Sequence, residues 1–150
     1  MIFVDATFFL RYLVQPVTPQ DRINERRAAA LFASVESGAA EITTSEAILA
    51  EVAFILNAKR HYGLPPAEVA ARLRPFLRLT ELRLARGAKE RYLRALDLWS
   101  DHPRLGFVDA LTAVTVAQTD VVLATFDSDF DGVPGITRWQ PPGAGGGDVR

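Results

Sequence analysis

The chain has 150 residues, of which 49% are hydrophobic, and its formal net charge is −1 at pH 7. This length and composition predict a single compact domain, and the nearly neutral charge does not by itself indicate a nucleic-acid-binding protein. The absence of cysteine excludes disulfides, zinc–thiolate sites and cysteine nucleophiles.

The first part of the chain alternates short apolar strands with helices. Strands are predicted over residues 2–4 and 41–43, and helices over residues 7–14 and 25–37. Thr43 followed by Glu46 is typical of a capping box. It predicts a further helix that runs to about Tyr62 and is closed by Gly63.

The second part of the chain continues the same alternation. The predicted elements are helices over 65–77, 87–100 and 107–118, and strands over 81–84, 121–125 and 136–139. Such alternation implies an α/β fold with a mostly parallel sheet covered on both faces. The Pro/Gly-rich end is too poor in large apolar residues to pack, so we expect a domain over residues 1–139 and a flexible tail over 140–150.

The N-terminal segment does not have the pattern of a targeting signal. Asp5 and Arg11 interrupt the apolar run before the hydrophobic region of a signal peptide could form. No apolar run approaches the roughly 18 residues that would suggest a membrane-spanning helix. We therefore expect a soluble, cytoplasmic protein without a membrane partner.

Two acidic residues follow predicted strands. Asp5 comes directly after the first strand, and Asp127 comes after the apolar strand that begins at Val121. Ligands of parallel α/β sheets bind beyond the carboxyl ends of the strands. Both carboxylates are therefore expected at the ligand-binding edge.

Two further acidic residues have apolar neighbours on predicted helices. Glu51 is flanked at three- and four-residue spacing by Ala47, Ile48, Phe54 and Ile55. Asp109 shares its helical face with residues such as Ala113. A carboxylate on a buried apolar face is costly unless a partner compensates it, which marks both residues as candidates for function.

Convergence of these four carboxylates would require a cation. At ~4 Å and an effective dielectric of ~20, one like-charge pair costs about 4 kcal/mol. Oxygen donors without cysteine or clustered histidine suit Mg²⁺ or Mn²⁺ better than zinc. Local structural roles remain open for three of the acids: Asp5 and Asp127 could cap the next turn, and Asp109 could stabilise the start of its helix.

The four acids lie in short motifs that resemble those of a PIN domain, and specifically of the VapC-type toxins of bacterial toxin–antitoxin systems. The resemblance covers about residues 1–139. The motifs are Val4-Asp5-Ala6-Thr7, Ala50-Glu51-Val52, Phe107-Val108-Asp109-Ala110-Leu111 and Ala124-Thr125-Phe126-Asp127.

The resemblance implies a three-layer α/β/α fold with a five-stranded, mostly parallel sheet. It further implies a Mg²⁺- or Mn²⁺-dependent ribonuclease in which Asp5, Glu51, Asp109 and Asp127 hold the metal and a metal-activated water cleaves RNA. Such toxins usually form homodimers and are inhibited by a cognate antitoxin. The predicted helices over residues 45–77 would correspond to the antitoxin groove, although the same surface could simply cover its own core.

Auxiliary roles are expected for a few residues near the acids. The family often has Asn where this chain has Thr7, whose hydroxyl could still hold a water of the metal; Thr125 could act similarly. Asp129 is a possible additional ligand. Arg11 follows Asp5 on the first helix and is a candidate RNA phosphate contact, or simply a surface arginine.

The acids also allow other interpretations. Residues 127–132 resemble the first half of an EF-hand loop, but Arg138 stands where the loop needs Glu and Pro134 interrupts it. The alternative from a different class is a catalytically silent PIN-like module that binds RNA or a protein partner. Such a module would have no need for all four acids, and it could lack metal affinity.

Overall fold

Three short parallel strands form a sheet in the part of the chain that the structure describes. The computed structural model describes residues 1–119, 122, 123, 125 and 127–137. The strands are β1 (Ile2–Phe3), β2 (Ile42–Thr43) and β3 (Leu82–Arg83), hydrogen-bonded in the order β1-β2-β3. Ile2 pairs with Ile42, and Ile42 with Leu82, so the carboxyl ends of all three strands lie at one edge.

Six α-helices of the described residues connect and cover these strands. They are α1 (Ala6–Leu13), α2 (Pro19–Glu36), α3 (Glu46–Asn57), α4 (Pro66–Arg78), α5 (Ala88–Asp101) and α6 (Phe107–Thr119), and a 3₁₀ turn follows at Ser128–Phe130. Helix α3 packs against α1, α4 and α6, while α5 packs against α4 and α6. The α/β class predicted from the alternation is therefore confirmed.

The ends of two helices differ from the prediction. Helix α2 begins at Pro19 rather than residue 25, because Thr18 and Asp21 form a reciprocal capping box. The predicted capping box at Thr43 is wrong, since Ser45 caps α3 and Thr43 instead donates a hydrogen bond to the Arg83 carbonyl oxygen at 2.7 Å.

The C-terminal end of α3 also differs from the prediction. The helix ends at Asn57 rather than Tyr62, where the backbone turns extended at Ala58. The Asn57 side-chain amide donates to the carbonyl oxygen of Leu64 at 2.8 Å and holds the turn that follows. The segment 58–63 is therefore a loop, with Tyr62 exposed on it.

The expected five-stranded sheet is reduced to three strands in the part of the chain that the structure describes. The two missing strands were predicted over 121–125 and 136–139, and several residues of both segments lie outside the described residues. Of the described residues in these segments, Leu123 donates its amide to the Thr137 carbonyl oxygen at 2.8 Å. Leu123 forms only an isolated β-bridge. The predicted tail, 140–150, also lies outside the described residues.

The core is built from aromatic and aliphatic side chains of the helices. Phe9, Phe32 and Phe76 pack ring against ring, with centroids 4.9–5.7 Å apart. Trp99 is 1% exposed, and its indole N–H donates to the Leu105 carbonyl oxygen, which fixes the loop before α6. Among the described residues, no helix combines the length and apolar character needed to cross a membrane.

Candidate active site

Asp5 caps α1 at the carboxyl end of β1. Its Oδ1 accepts hydrogen bonds from the Thr7 hydroxyl at 2.6 Å, the Thr7 amide at 3.1 Å and the Phe8 amide at 3.3 Å. The hydroxyl of Thr7 lowers the pKa of Asp5 most; burial opposes it as the next-largest effect, and the Phe8 and Thr7 amides lower the pKa further. The carboxylate is exposed and held in its charged form, with Oδ2 outside these contacts.

The position of Asp5 relative to α3 is set by a buried threonine that the sequence analysis did not identify. Thr44, between β2 and the Ser45 cap of α3, is only 7% exposed. Its hydroxyl donates to the Val4 carbonyl oxygen at 2.8 Å, and the Val4 amide donates to Thr43 at 2.9 Å. Val4, which precedes Asp5, is thereby joined to Thr44, which precedes the Ser45 cap of α3. A polar residue ending an apolar strand is the only signal for this role in the sequence.

Glu51 lies on the exposed side of α3, which corrects the prediction of a costly buried charge. The residues of α3 that enter the core are Leu49, Val52, Ala53 and Leu56. The side containing Glu51 is apolar but open to solvent, since Phe54 is 58% exposed. Within the described part of the chain, the Glu51 carboxylate forms no ion pair or hydrogen bond.

The start of α3 is anchored from α5. The buried Tyr92 hydroxyl donates to the Glu46 carbonyl oxygen at 2.5 Å, and Arg91 forms an ion pair with the Glu46 side chain. Burial raises the pKa of the Tyr92 phenol most, and the negative charge of Glu46 raises it further. The hydroxyl therefore keeps its proton and remains a donor. These contacts fix the helix that presents Glu51.

Asp109 lies half-buried in the first turn of α6. Its Oδ2 accepts a hydrogen bond from the Gly106 amide at 3.3 Å. A negative charge at this position is also favoured by the positive end of the helix dipole. The local structural role considered for Asp109 is therefore present, and it uses only one carboxylate oxygen.

Asp127 caps the 3₁₀ turn near the C-terminal end of the described chain. Its Oδ1 accepts from the Asp129 amide at 2.8 Å, and its own amide donates to the Thr125 hydroxyl at 3.0 Å. Asp129 instead faces Arg104, with 3.9 Å between Asp129 Oδ1 and the guanidinium nitrogen. Asp129 also lines a cleft that contains His102.

The structure places two of the auxiliary residues in direct contact with their acids. Thr7 contacts Asp5 and Thr125 contacts Asp127 directly. Among residues 1–119 and the described positions after them, no group of three or more acidic or histidine side chains is close enough to hold a metal ion. The acids are related through packing, because α3 contacts both α1 and α6.

The donor chemistry of these acids fits a hard divalent cation. Seven other carboxylates form ion pairs with arginine, whereas Asp5, Glu51 and Asp109 belong to none of those pairs. The surrounding donors are carboxylate and hydroxyl oxygens, which are the ligands that Mg²⁺ and Mn²⁺ prefer. These side chains can therefore supply negative oxygen ligands without first breaking a salt bridge.

Arg11, the candidate phosphate contact, is held by an acid of α2. Its guanidinium lies 3.1 Å from Asp21 Oδ1. The Asp21 Oδ2 also accepts from the Val17 and Thr18 amides at 3.2 and 3.0 Å. Arg11 is thus fixed on the wall of a cavity beside Thr7 rather than extended into solvent.

Comparison with known families gives one match over most of the chain. The family described as the PIN domain matches residues 2–136. No curated protein sequence matches the chain significantly.

Proposed function

The chain belongs to the PIN domain family, whose members are generally nuclease modules, and we propose that it is a Mg²⁺- or Mn²⁺-dependent endoribonuclease. The proposal assigns Asp5, Glu51, Asp109 and Asp127 as the metal-holding carboxylates. Thr7 and Thr125 position two of them. The reaction is hydrolysis of an RNA phosphodiester.

One observation supports this assignment most strongly. Glu51 projects from a helix that packs against both the helix capped by Asp5 and the helix that bears Asp109. All three carboxylates lack an ion-pair partner in the described chain. Three acids without an ion-pair partner, at the start of α1, on α3 and on α6, support the assignment of a cation site, and the family match gives that assignment a nuclease context.

The chain's own residues prepare the site for a phosphodiester. Thr7 keeps Asp5 charged and fixes one of its oxygens, so that Oδ2 is the oxygen left to bind a cation. Thr44 fixes the spacing between Asp5 and α3. A divalent metal supplies charge neutralisation at the phosphate and makes water easier to deprotonate. The carboxylates would hold the cation close to the phosphate oxygens, on which negative charge develops during the reaction.

Cleavage of labelled single-stranded RNA tests the proposal. The purified protein is incubated with Mg²⁺ or Mn²⁺, with EDTA, and as the variant Asp109→Asn. We expect cleavage with metal and at least a hundredfold loss in both other conditions. Cleavage that continues unchanged with EDTA and in the variant would disprove the metal mechanism.

We further propose that the enzyme is a cytoplasmic toxin of the VapC type, active as a homodimer and inhibited by a cognate antitoxin. The exposed Phe54 on α3 favours a protein partner at this helix, because the described chain leaves 58% of this apolar residue exposed. The large apolar side chains of α4, in contrast, are buried in the core.

Growth of cells that express the chain alone tests the toxin proposal. The wild type should arrest growth, and Asp109→Asn should not. Equal growth with both proteins, together with no calorimetric signal for Mn²⁺, would instead favour the catalytically silent module.

A further inference from the structure

A cavity of about 360 Å³ lies next to Asp5, between α1, α2 and the loop after α3. Thr7 lines this cavity and also donates its hydroxyl to Asp5 at 2.6 Å. The cavity wall is therefore one hydrogen bond away from a carboxylate of the candidate site. Its volume is within the roughly 300–1,000 Å³ that is common for ligand pockets.

The cavity contains one arginine whose charge is not neutralised. Arg11 and Asp21 both line it, but they form an ion pair with each other. Arg27 also lines it and, in the described part of the chain, forms no ion pair with a carboxylate. The lining therefore carries a net positive charge, located at Arg27, and a guanidinium binds phosphate oxygens in a bidentate manner.

Aromatic and amide groups complete the lining. Phe8 is 39% exposed and Tyr62 is 42% exposed, and both rings line the cavity. The Asn24 side-chain oxygen accepts from Gln20 at 3.1 Å, so its amide nitrogen is the group left to donate to a ligand. Exposed rings beside a free guanidinium are typical of surfaces that stack a base and hold its phosphate.

We propose that this cavity binds one nucleotide of single-stranded RNA, next to the phosphodiester to be cut. The base stacks on Tyr62 or Phe8, Arg27 holds the adjoining phosphate, and Asn24 donates to the base edge. A single strand is required because bases in a duplex are stacked and not free to enter a cavity. This inference rests on the proposed ribonuclease function and extends it to the recognition of substrate.

Equilibrium binding in EDTA tests the cavity separately from cleavage. Fluorescence anisotropy with a labelled single-stranded RNA compares the wild type with Arg27→Gln and Arg26→Gln. Arg26 is the matched control, because it is exposed on the same helix and does not line the cavity. We expect Arg27→Gln to raise Kd at least fivefold and to reduce the slope of log K against log salt by about 0.7.

Tyr62→Leu provides a second, distinguishable effect. Loss of stacking should raise Kd by about 5- to 100-fold without a change in the salt slope, since no charge is removed. Arg26→Gln should leave Kd within twofold of the wild type. Equal effects of Arg27→Gln and Arg26→Gln, with wild-type binding by Tyr62→Leu, would overturn the cavity assignment.

The two proposals can fail independently. A wild type that cleaves RNA while both cavity variants bind normally would leave the nuclease standing and reject the cavity. A wild type that does not cleave, but whose binding is lost in the cavity variants, would leave the cavity standing as an RNA site and reject the nuclease.

Discussion

Replacement of Thr44 by valine should destabilise the protein through a single lost hydrogen bond. The two side chains have nearly the same shape, so no cavity forms, but the 2.8 Å bond to the Val4 carbonyl oxygen disappears. Thr44 is 7% exposed, so water cannot readily replace the hydroxyl. An unsatisfied buried acceptor costs about 1–3 kcal/mol. At 2–4 °C per kcal/mol for a chain of this size, the Tm should fall by about 2–12 °C.

Thr43→Val is the matched control for this prediction. Thr43 also donates its hydroxyl to a backbone carbonyl, that of Arg83 at 2.7 Å, but the bond is accessible to solvent. Its loss should cost less than about 1 kcal/mol, because water can satisfy both groups. Urea unfolding followed by circular dichroism measures both variants. Equal losses, or a larger loss for Thr43→Val, would refute the role given to the buried hydroxyl.

Three further variants test local features of the site. Glu51→Gln should change the free energy of unfolding by no more than about 0.5 kcal/mol, because the side chain is exposed. The same variant should abolish RNA cleavage. Urea titration measures the first effect, and the cleavage assay measures the second. Ser45→Ala should cost about 1 kcal/mol through loss of the α3 cap, and Ser45→Asp should restore most of it in the same titration. Thr7→Val should raise the pKa of Asp5 in a carbon-13 NMR titration, whereas Thr7→Ser should not. Since the folded pKa of Asp5 is depressed, its stabilising contribution is present above the unfolded pKa and is lost as pH falls through the folded pKa; in Thr7→Val this contribution should be smaller, and its loss should be complete at a higher pH.

The alternation of strands and helices could be predicted because each element has its own local pattern. The boundaries were harder where two capping groups compete. Thr43 and Ser45 are both hydroxyl residues before α3, and only the sheet contact of Thr43 decides that Ser45 forms the cap. Such a contact joins residues 40 positions apart in the sequence, which a local motif does not contain.

The position of Glu51 shows a second limit of the sequence. Helix α3 has apolar residues on nearly all sides, so the neighbours of Glu51 could not show which side enters the core. Packing against α1, α4 and α6 buries the side with Leu49 and Val52, and leaves Glu51 in solvent. The functional role of Glu51 stays a prediction, but the predicted cost of burial was wrong.

The resemblance to the PIN domain was confirmed, whereas the VapC-type toxin role and the role of each acid remain predictions. Asp5, Asp109 and Asp127 all have the local hydrogen bonds that were considered as structural alternatives. These bonds do not use every carboxylate oxygen of Asp5 and Asp109, so local and functional roles are compatible. The relation between the acids depends on helix packing, which no short motif contains.

Anomalous diffraction from crystals of the wild type grown with Mn²⁺ tests the central claim most directly. The account predicts a manganese peak bonded to carboxylate oxygens of Asp5, Glu51 and Asp109, with loss of that peak in Asp109→Asn. A peak confined to the cleft of Asp129 and His102, or no peak at a Mn²⁺ concentration that supports RNA cleavage, would contradict it.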